Sequence, residues 1–297
     1  MAVVKRKQKR GKEKLFDILV YVICIVILIV TIYPLYLVAI ASISDAEAVL
    51  RGEVLFMPKG LNFTGYKMVF ENQQIGIGYF NTIFYAVIGT MFNMVITLPA
   101  AYAMSRKEFA LRKVLNAYFV FTMFFNGGII ATYICIRDLS LINNRLVFIV
   151  AFGLNVYNLI ITRSFFEQSL PEELREAALI DGCGHWRYFI SCVLPLSKAI
   201  IMVISLYYFV WHWNDNYEAT TYMYHDSVMT LQPRLENIST YYQSMLGLQE
   251  AVTMQDKALT EPMLFAGCML VMIPVLVVYV VGQKKLVAGI ERIGVIE

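Results

Sequence analysis

The side chains that could do chemistry in this chain are concentrated in residues 169–196, a polar segment between two long apolar runs. Ser169 followed by Glu172 fits the capping box that starts a helix, and the residues after it form a first apolar stripe. A second apolar stripe follows and continues to Pro195, where we expect proline to interrupt the helix. Asp181-Gly182 lies between the two stripes and provides residues suited to a sharp turn. The segment therefore predicts two short amphipathic helices joined by a glycine turn, with surface left for a partner.

Catalytic, metal and nucleotide motifs are missing from the rest of the sequence. His185, His212 and His225 are scattered, and no H-E-x-x-H, G-x-S-x-G or G-x-x-x-x-G-K-[ST] pattern occurs. The five cysteines form no C-x-x-C pair, which disfavours a zinc site or a disulfide framework. We expect no catalytic residue, no metal site and no cofactor in this chain, so it is not expected to be an enzyme.

The composition is typical of a membrane protein. Hydrophobic residues make up 59% of the chain and charged residues 16%, whereas soluble domains are about a quarter charged. Because a spanning helix needs roughly 20 apolar residues, the sequence predicts an all-α polytopic protein with six transmembrane helices within residues 15–281. The predicted spans are Leu15–Ile40, Tyr79–Met104, Val114–Ile136, Leu146–Thr162, Ala199–Trp213 and Pro262–Val281.

Lysine and arginine predict how the chain is oriented. Of the 25 basic residues, 18 lie in the polar segments that would share one side of the membrane. The positive-inside rule then places the basic N-terminus 1–14, the loop 167–196 and the tail 282–297 in the cytoplasm, and the loop 214–261 outside. The basic run 5–10 is better interpreted as a topology anchor than as a nucleic-acid patch, so we expect membrane lipid but no nucleic acid as a partner.

Few ionisable side chains fall within the six predicted spans. Asp17 lies at the boundary of the first and His212 near the end of the fifth. Ion-coupled carriers usually place acids or a cation site inside the bilayer to meet the charge of the driving ion. The sequence therefore favours an energy source in another protein.

The spacing within the polar segment resembles the EAA loop of ABC-transporter permeases, with Cys183 at a position where that family usually has alanine. The matching residues are Glu176, Ala177, Ala178, Asp181, Gly182, Phe189 and Leu194-Pro195-Leu196. In that family the loop contains the coupling helix that docks into a cleft of the cytoplasmic ATPase subunit. By this resemblance, the expected ATPase-coupling residues are Glu172, Glu176, Ala177, Ala178, Asp181, Gly182, Trp186 and Pro195.

Other stretches are similar to carbohydrate permeases of the maltose-transporter inner-subunit type. The residues are 78–82, 100–106 and 282–289, while Trp213-Asn214 with the later Leu231-Gln232 resembles the complex-oligosaccharide subgroup. Aromatic rings stack on sugar faces and amides pair with hydroxyls. Each aromatic residue here could instead belong to the belt at a membrane interface. The candidate substrate-pathway residues are Tyr208, Trp211, Trp213 and Asn214.

The resemblance implies a permease subunit of an ATP-driven ABC importer for carbohydrate, with an oligosaccharide as the expected cargo, in the bacterial plasma membrane. It implies a second homologous permease, two copies of a cytoplasmic ABC ATPase that hold ATP and Mg²⁺, and an extracellular substrate-binding (lipo)protein, which the acidic loop 214–261 is expected to touch. The alternatives are a channel or carrier that works without ATP, and a membrane sensor or assembly protein.

Overall fold

The computed structural model describes residues 11–248 and 254–294, and all regular secondary structure in those two ranges is helical. This agrees with the predicted all-α class. The α-helices are α1 Gly11–Ala41, α2 Ala46–Leu50, α3 Thr64–Glu71, α4 Gln73–Ser105, α5 Arg112–Phe124, α6 Gly128–Asp138, α7 Val156–Ser169, α8 Glu172–Ile180, α9 His185–Tyr188, α10 Leu194–Leu196, α11 Lys198–Asn214, α12 Tyr217–Tyr222, α13 Leu231–Leu248 and α14 Met254–Gly294. Two π-helical turns, Val147–Ala151 and Phe189–Val193, interrupt this order.

Among the described residues, 11–71, 242–248 and 254–270 form one compact unit. Within it, α1 leaves nearly all of its apolar side chains exposed, which is expected of a helix whose solvent is lipid. The loop after α2 folds back on the end of α1, where the Tyr36 hydroxyl donates to the carbonyl of Phe56 at 2.5 Å. The start of α14 approaches α3 closely, because a Cβ on Gly65 would overlap the backbone of Pro262.

Residues 72–241 and 271–294 form the second unit, in which α4 packs along α7 and α11. Gly89 permits the closest approach, since a Cβ there would overlap the His212 ring. The same ring lies 3.0 Å from Asn93 Oδ1 through its Nε2. Beside the loop that follows α7, a buried cluster includes Tyr102, Leu159, Phe166, Phe189, Val193, Ile200 and Ile204.

Three helices of the described residues are long and apolar enough to cross a membrane: Phe16–Ala41, Gln73–Ser105 and Pro262–Val280. Counting each sharply bent helix pair as one span raises the number to five, with a bend of 114° between α5 and α6 and of 83° between α10 and α11. The fourth predicted span, 146–162, is not one helix, because it is divided between a π-helical turn and α7. The count of six spans stays a prediction.

Candidate functional site

The EAA-like loop, residues 167–196, contains the predicted pair of short helices. The first, α8, ends at Ile180, and Gly182 then takes φ 74°, a left-handed conformation that favours glycine. The amide of Cys183 donates to the carbonyl of Ala178 at 2.8 Å, and the amide of Gly182 donates to Leu179 at 3.0 Å. These bonds satisfy the last carbonyls of α8 and fix the turn before α9 begins.

The predicted capping box at the start of this loop is wrong. Ser169 is the last residue of α7, and Pro171 precedes α8 without any side-chain cap bond. Proline disfavours a helical conformation in the residue before it, and Leu170 is accordingly extended, with φ −113° and ψ 101°. Pro171 therefore ends one helix and leads into the next.

The predicted interruption at Pro195 is also wrong by two residues. The second stripe runs as α9, a π-helical turn and α10, and the chain leaves the helix only at Ser197. Pro195 lies just after the π-helical turn, and the helical backbone continues past it to Leu196. At Ser197 the chain bends, and the axis of α11 makes an angle of 83° with that of the preceding helical stretch.

Arg175 holds α8 against the segment that joins α4 to α5. Its side chain is buried, its Nη2 contacts Glu108 Oε1, and its Nε donates to Glu172 Oε1 at 2.6 Å. Burial alone would lower the pKa of the Arg175 guanidinium, but hydrogen bonds and the charges of the two glutamates outweigh it and raise the pKa. The charged form of Arg175 is thus favoured, and we call this arrangement the Arg175 clamp.

A second set of ion pairs ties the neighbouring helices together. Arg112 and Arg163 both bind Glu167, at 2.5 Å and 2.9 Å from its Oε1. Arg106 lies 3.8 Å from the Glu172 carboxylate. Sequence reasoning missed all of these ion pairs, although the spacing of Arg163 and Glu167 is the helical i, i+4 pattern that could have indicated one of them.

Several predicted coupling residues form an exposed surface on the EAA-like loop. Glu176, Ala177, Asp181 and Gly182 are exposed, as are Glu172 and Pro195, while Ala178 is partly buried against the core. Trp186 is 64% exposed, and Ile180, which the prediction left out, is 87% exposed. We call Glu176, Ala177, Ile180, Asp181 and Trp186 the loop surface. Large apolar side chains left in the open are typical of an interaction site.

The predicted substrate-pathway residues fall into two groups. Tyr208 and Trp211 line a cavity of about 490 Å³, the aromatic cavity, at the junction of α7, α11 and α12. Trp213 does not line it, because its ring is buried and its Nε1 donates to the carbonyl of Val271 at 2.9 Å. Asn214 is exposed at the end of α11 and does not line it either.

Packing fixes the orientation of both cavity aromatics. The Tyr208 hydroxyl shares a hydrogen bond of 2.7 Å with Thr97 Oγ1 and accepts one of 3.2 Å from the amide of Asn155. Trp211 stacks parallel to Phe148 with ring centroids 6.0 Å apart. Tyr207, from the same aromatic run of α11, also lines this wall. Sequence reasoning missed its other polar and aromatic residues, which are Phe152, Asn155, Tyr157, Asn158 and Glu218.

Comparison with protein families finds that the model for "binding-protein-dependent transport system inner membrane component" matches residues 10–292. The polygalacturonan/rhamnogalacturonan transport system permease protein YtcP of Bacillus subtilis is 31% identical over 278 residues, covering 94% of this chain and 97% of that protein. The maltodextrin transport system permease protein MalD of Streptococcus pneumoniae is 28% identical over 287 residues, covering 95% and 96%.

A solved structure has the same fold. It is one chain of a bacterial ABC transporter involved in the import of the acidic polysaccharide alginate, and it superposes with a TM-score of 0.82 at 28% sequence identity. The match covers 94% of this chain and 99% of that chain. The helical architecture described above is therefore similar to that of an ABC-transporter permease.

Proposed function

The chain belongs to the family of binding-protein-dependent transport system inner membrane components and is a permease subunit of a sugar ABC importer, and we propose that ATP hydrolysis in a separate subunit drives an oligosaccharide through it. In this proposal the loop surface docks on the ATPase. ATP and Mg²⁺ are bound by that partner, and the present chain supplies the passage and the coupling loop.

The observation that carries the coupling proposal is the exposure of Ile180 and Trp186 on a loop whose backbone is firmly held. A docking element must present apolar anchors and must also resist deformation when its partner moves. The Arg175 clamp and the bonded turn at Gly182 meet the second requirement. The exposed apolar side chains meet the first.

The path from the loop surface to the aromatic cavity is short in sequence. Trp186 lies in α9, and the chain continues through α10 and Ser197 into α11, which carries Tyr208 and Trp211. A displacement of the loop surface would therefore reach the cavity wall through one helical stretch bent at Ser197. This supports alternating access driven from the side of the membrane that holds the loop.

The wider assembly follows from the same proposal. Two EAA-like loops are needed to engage an ATPase dimer, so the chain pairs with a second, homologous permease and two ATPase copies. The orientation expected from basic residues puts both termini in the cytoplasm of a bacterium, with six spans in its plasma membrane. The segment 214–261, which contains α12 and α13, then faces the substrate-binding protein outside.

Aromatic and amide side chains in one cavity support an oligosaccharide as the cargo. Tyr208, Trp211 and Tyr157 offer ring faces, while Asn155 and Asn158 offer amides to hydroxyl groups. The names of YtcP and MalD, which transport polygalacturonan or rhamnogalacturonan and maltodextrin, point to the same class of cargo.

Substitution of Gly182 tests the coupling role. A Cβ at Gly182 would meet nothing within 4 Å, so a side chain there costs only the strain of the left-handed backbone, about 1–2 kcal/mol. Gly182→Arg places a long cation beside the loop surface and is expected to abolish ATP-dependent uptake of labelled oligosaccharides. Gly182→Asn, a residue that tolerates φ above zero, should retain most of the uptake and is the matched control.

Membrane levels and assembly with the ATPase are measured for both variants. If the Gly182→Arg complex binds the ATPase and still takes up sugar at the wild-type rate, the loop has no coupling role. Uptake that persists after deletion of the ATPase subunit would contradict the proposed energy source.

A further inference from the structure

Glu218 lies where two cavities of the second unit meet. It lines the aromatic cavity of about 490 Å³ and also a side cavity of about 290 Å³. Phe152 is the other residue that lines both. The side cavity adds the polar groups of Asn126 and Thr132 to this wall. A sugar chain that extends from one cavity to the other would pass the Glu218 carboxyl group.

The backbone holds Glu218 firmly at this junction. Both carboxylate oxygens of Asp215 are used there, one accepting from the amide of Glu218 at 3.4 Å and the other from the amide of Ala219 at 3.0 Å. These bonds close the first turn of α12, so the position of the Glu218 side chain follows from its helix rather than from a mobile loop.

The charge of Glu218 is uncompensated. Among the described residues it forms no ion pair, and no lysine, arginine or histidine of the described chain lines either cavity. The side chain is half-buried, and this burial raises the pKa of its carboxyl group. A carboxylate in such a site acts on a nearby ligand charge more strongly than a fully hydrated one.

We propose that Glu218 determines charge selectivity, so that this chain's wall of the passage admits neutral saccharides and disfavours anionic ones. A carboxylate accepts hydrogen bonds from sugar hydroxyls, but it repels the carboxylate of a uronic acid. The inference rests on the proposed function and narrows its substrate class. It predicts a neutral cargo for this chain, whereas the proteins named for polygalacturonan and alginate transport acidic ones.

The charge of the cavity can be measured without knowing the sugar. Tyr207 lines the aromatic cavity and is 47% exposed, so Tyr207→Cys in the assembled complex gives a thiol that reagents can reach. The native cysteines are replaced by serine at Cys24, Cys135, Cys183, Cys192 and Cys268. Labelling rates are then compared at about pH 8 for a cationic trimethylammonioethyl and an anionic sulfonatoethyl methanethiosulfonate.

The ratio of cationic to anionic labelling rates should fall about tenfold when Glu218→Gln is added, since one nearby charge is removed in a partly shielded site. Glu236→Gln removes an equal charge from an exposed residue that lines neither cavity and should leave the ratio unchanged. A change below about twofold for Glu218→Gln, or an equal change for Glu236→Gln, would overturn the proposal.

Transport tests the selectivity itself. Cells that express the complete importer take up an equimolar mixture of neutral and uronic-acid trisaccharides, and the internal sugars are measured by mass spectrometry. Wild type should accumulate the neutral sugars, Glu218→Gln should raise the uronic-to-neutral ratio about tenfold, and Glu218→Asp should keep the wild-type ratio.

Preferential uptake of uronic acids by wild type, or a ratio that Glu218→Gln leaves unchanged, would contradict the assignment. Loss of ATP-dependent uptake of every saccharide would count against the proposed function instead, and the labelling ratio would still decide the charge of the cavity.

Discussion

Arg175→Gln should loosen the EAA-like loop. The change removes the guanidinium that contacts Glu108 and Glu172 together, while glutamine keeps a polar side chain of moderate length. Helix α8 would then lose its main polar attachment to the segment between α4 and α5. The first consequence expected is more frequent local opening of α8, with the rest of the fold intact.

The magnitude follows from the exposure of the three side chains. Breaking a fully buried ion pair costs about 3–5 kcal/mol, whereas exposed pairs contribute about 0–1 kcal/mol. The Arg175 side chain is 9% exposed, but those of Glu108 and Glu172 are 54% and 48% exposed, so water can solvate both carboxylates after the substitution. Hydrogen bonds to charged groups contribute about 1.5–3 kcal/mol, and we expect a loss of about 2 kcal/mol.

Hydrogen exchange of residues 172–184, followed by mass spectrometry on the complex in lipid nanodiscs, measures this loss. A loss of about 2 kcal/mol corresponds to exchange about 30-fold faster. Glu108→Gln should have a smaller effect, about fivefold, because Arg175 keeps its bond to Glu172. Arg187→Gln removes the same charge from an exposed arginine of the loop that makes no ion pair in the described chain, and exchange should not change.

Exchange within about twofold of wild type for Arg175→Gln would refute the clamp as a source of rigidity. An equal acceleration in Arg187→Gln would show instead that the net charge of the loop, and not the contact with Glu108, controls its opening.

Two further substitutions test the packing that supports the cavity. Gly89→Ala drives a methyl group into the His212 ring, and overpacking of this kind costs about 1–3 kcal/mol, so the thermal midpoint of the purified complex should fall. Gly76→Ala is the control: its Cβ meets nothing within 4 Å, so it should not lower the thermal midpoint. If Gly89→Ala and Gly76→Ala have equal midpoints, α4 and α11 can separate freely at Gly89. Tyr208→Phe keeps the ring but loses the bond to Thr97, which should destabilise the complex by about 1 kcal/mol while leaving sugar uptake measurable; complete loss of uptake would mean that the hydroxyl itself binds the cargo.

The sequence predicted the straight apolar helices well and the bent ones poorly. The first predicted span, Leu15–Ile40, lies within the single helix α1, Gly11–Ala41, because an uninterrupted apolar run favours one long helix. The bend between α5 and α6 occurs at Asn126-Gly127-Gly128, where Gly128 takes φ 80°. An average of hydropathy over the run 114–136 cannot show such a break, because the residues on both sides are equally apolar.

The candidate site was predictable where its geometry is local. Gly182 was expected at the turn because the tolerance of φ above zero is a property of glycine itself. The Arg175 clamp was not expected, since Arg175 and Glu108 are separated by 67 positions and only the packing of α8 beside the end of α4 brings them together. The junction at Glu218 was missed for the same reason, because its cavity walls come from α7, α11 and α12.

The position of the core indicates how motion at the loop surface reaches the passage. Tyr188, Phe189 and Val193 lie before the bend at Ser197, and Ile200 and Ile204 lie after it, yet all five are buried in one cluster with residues of α4 and α7. A close-packed interior does not deform gradually. A force applied at Trp186 is therefore poorly absorbed by repacking between the loop and α11. We infer that the loop, α11 and the helices packed on them move together, which makes the bend at Ser197 a fixed elbow and places the hinge of the transport cycle outside this cluster.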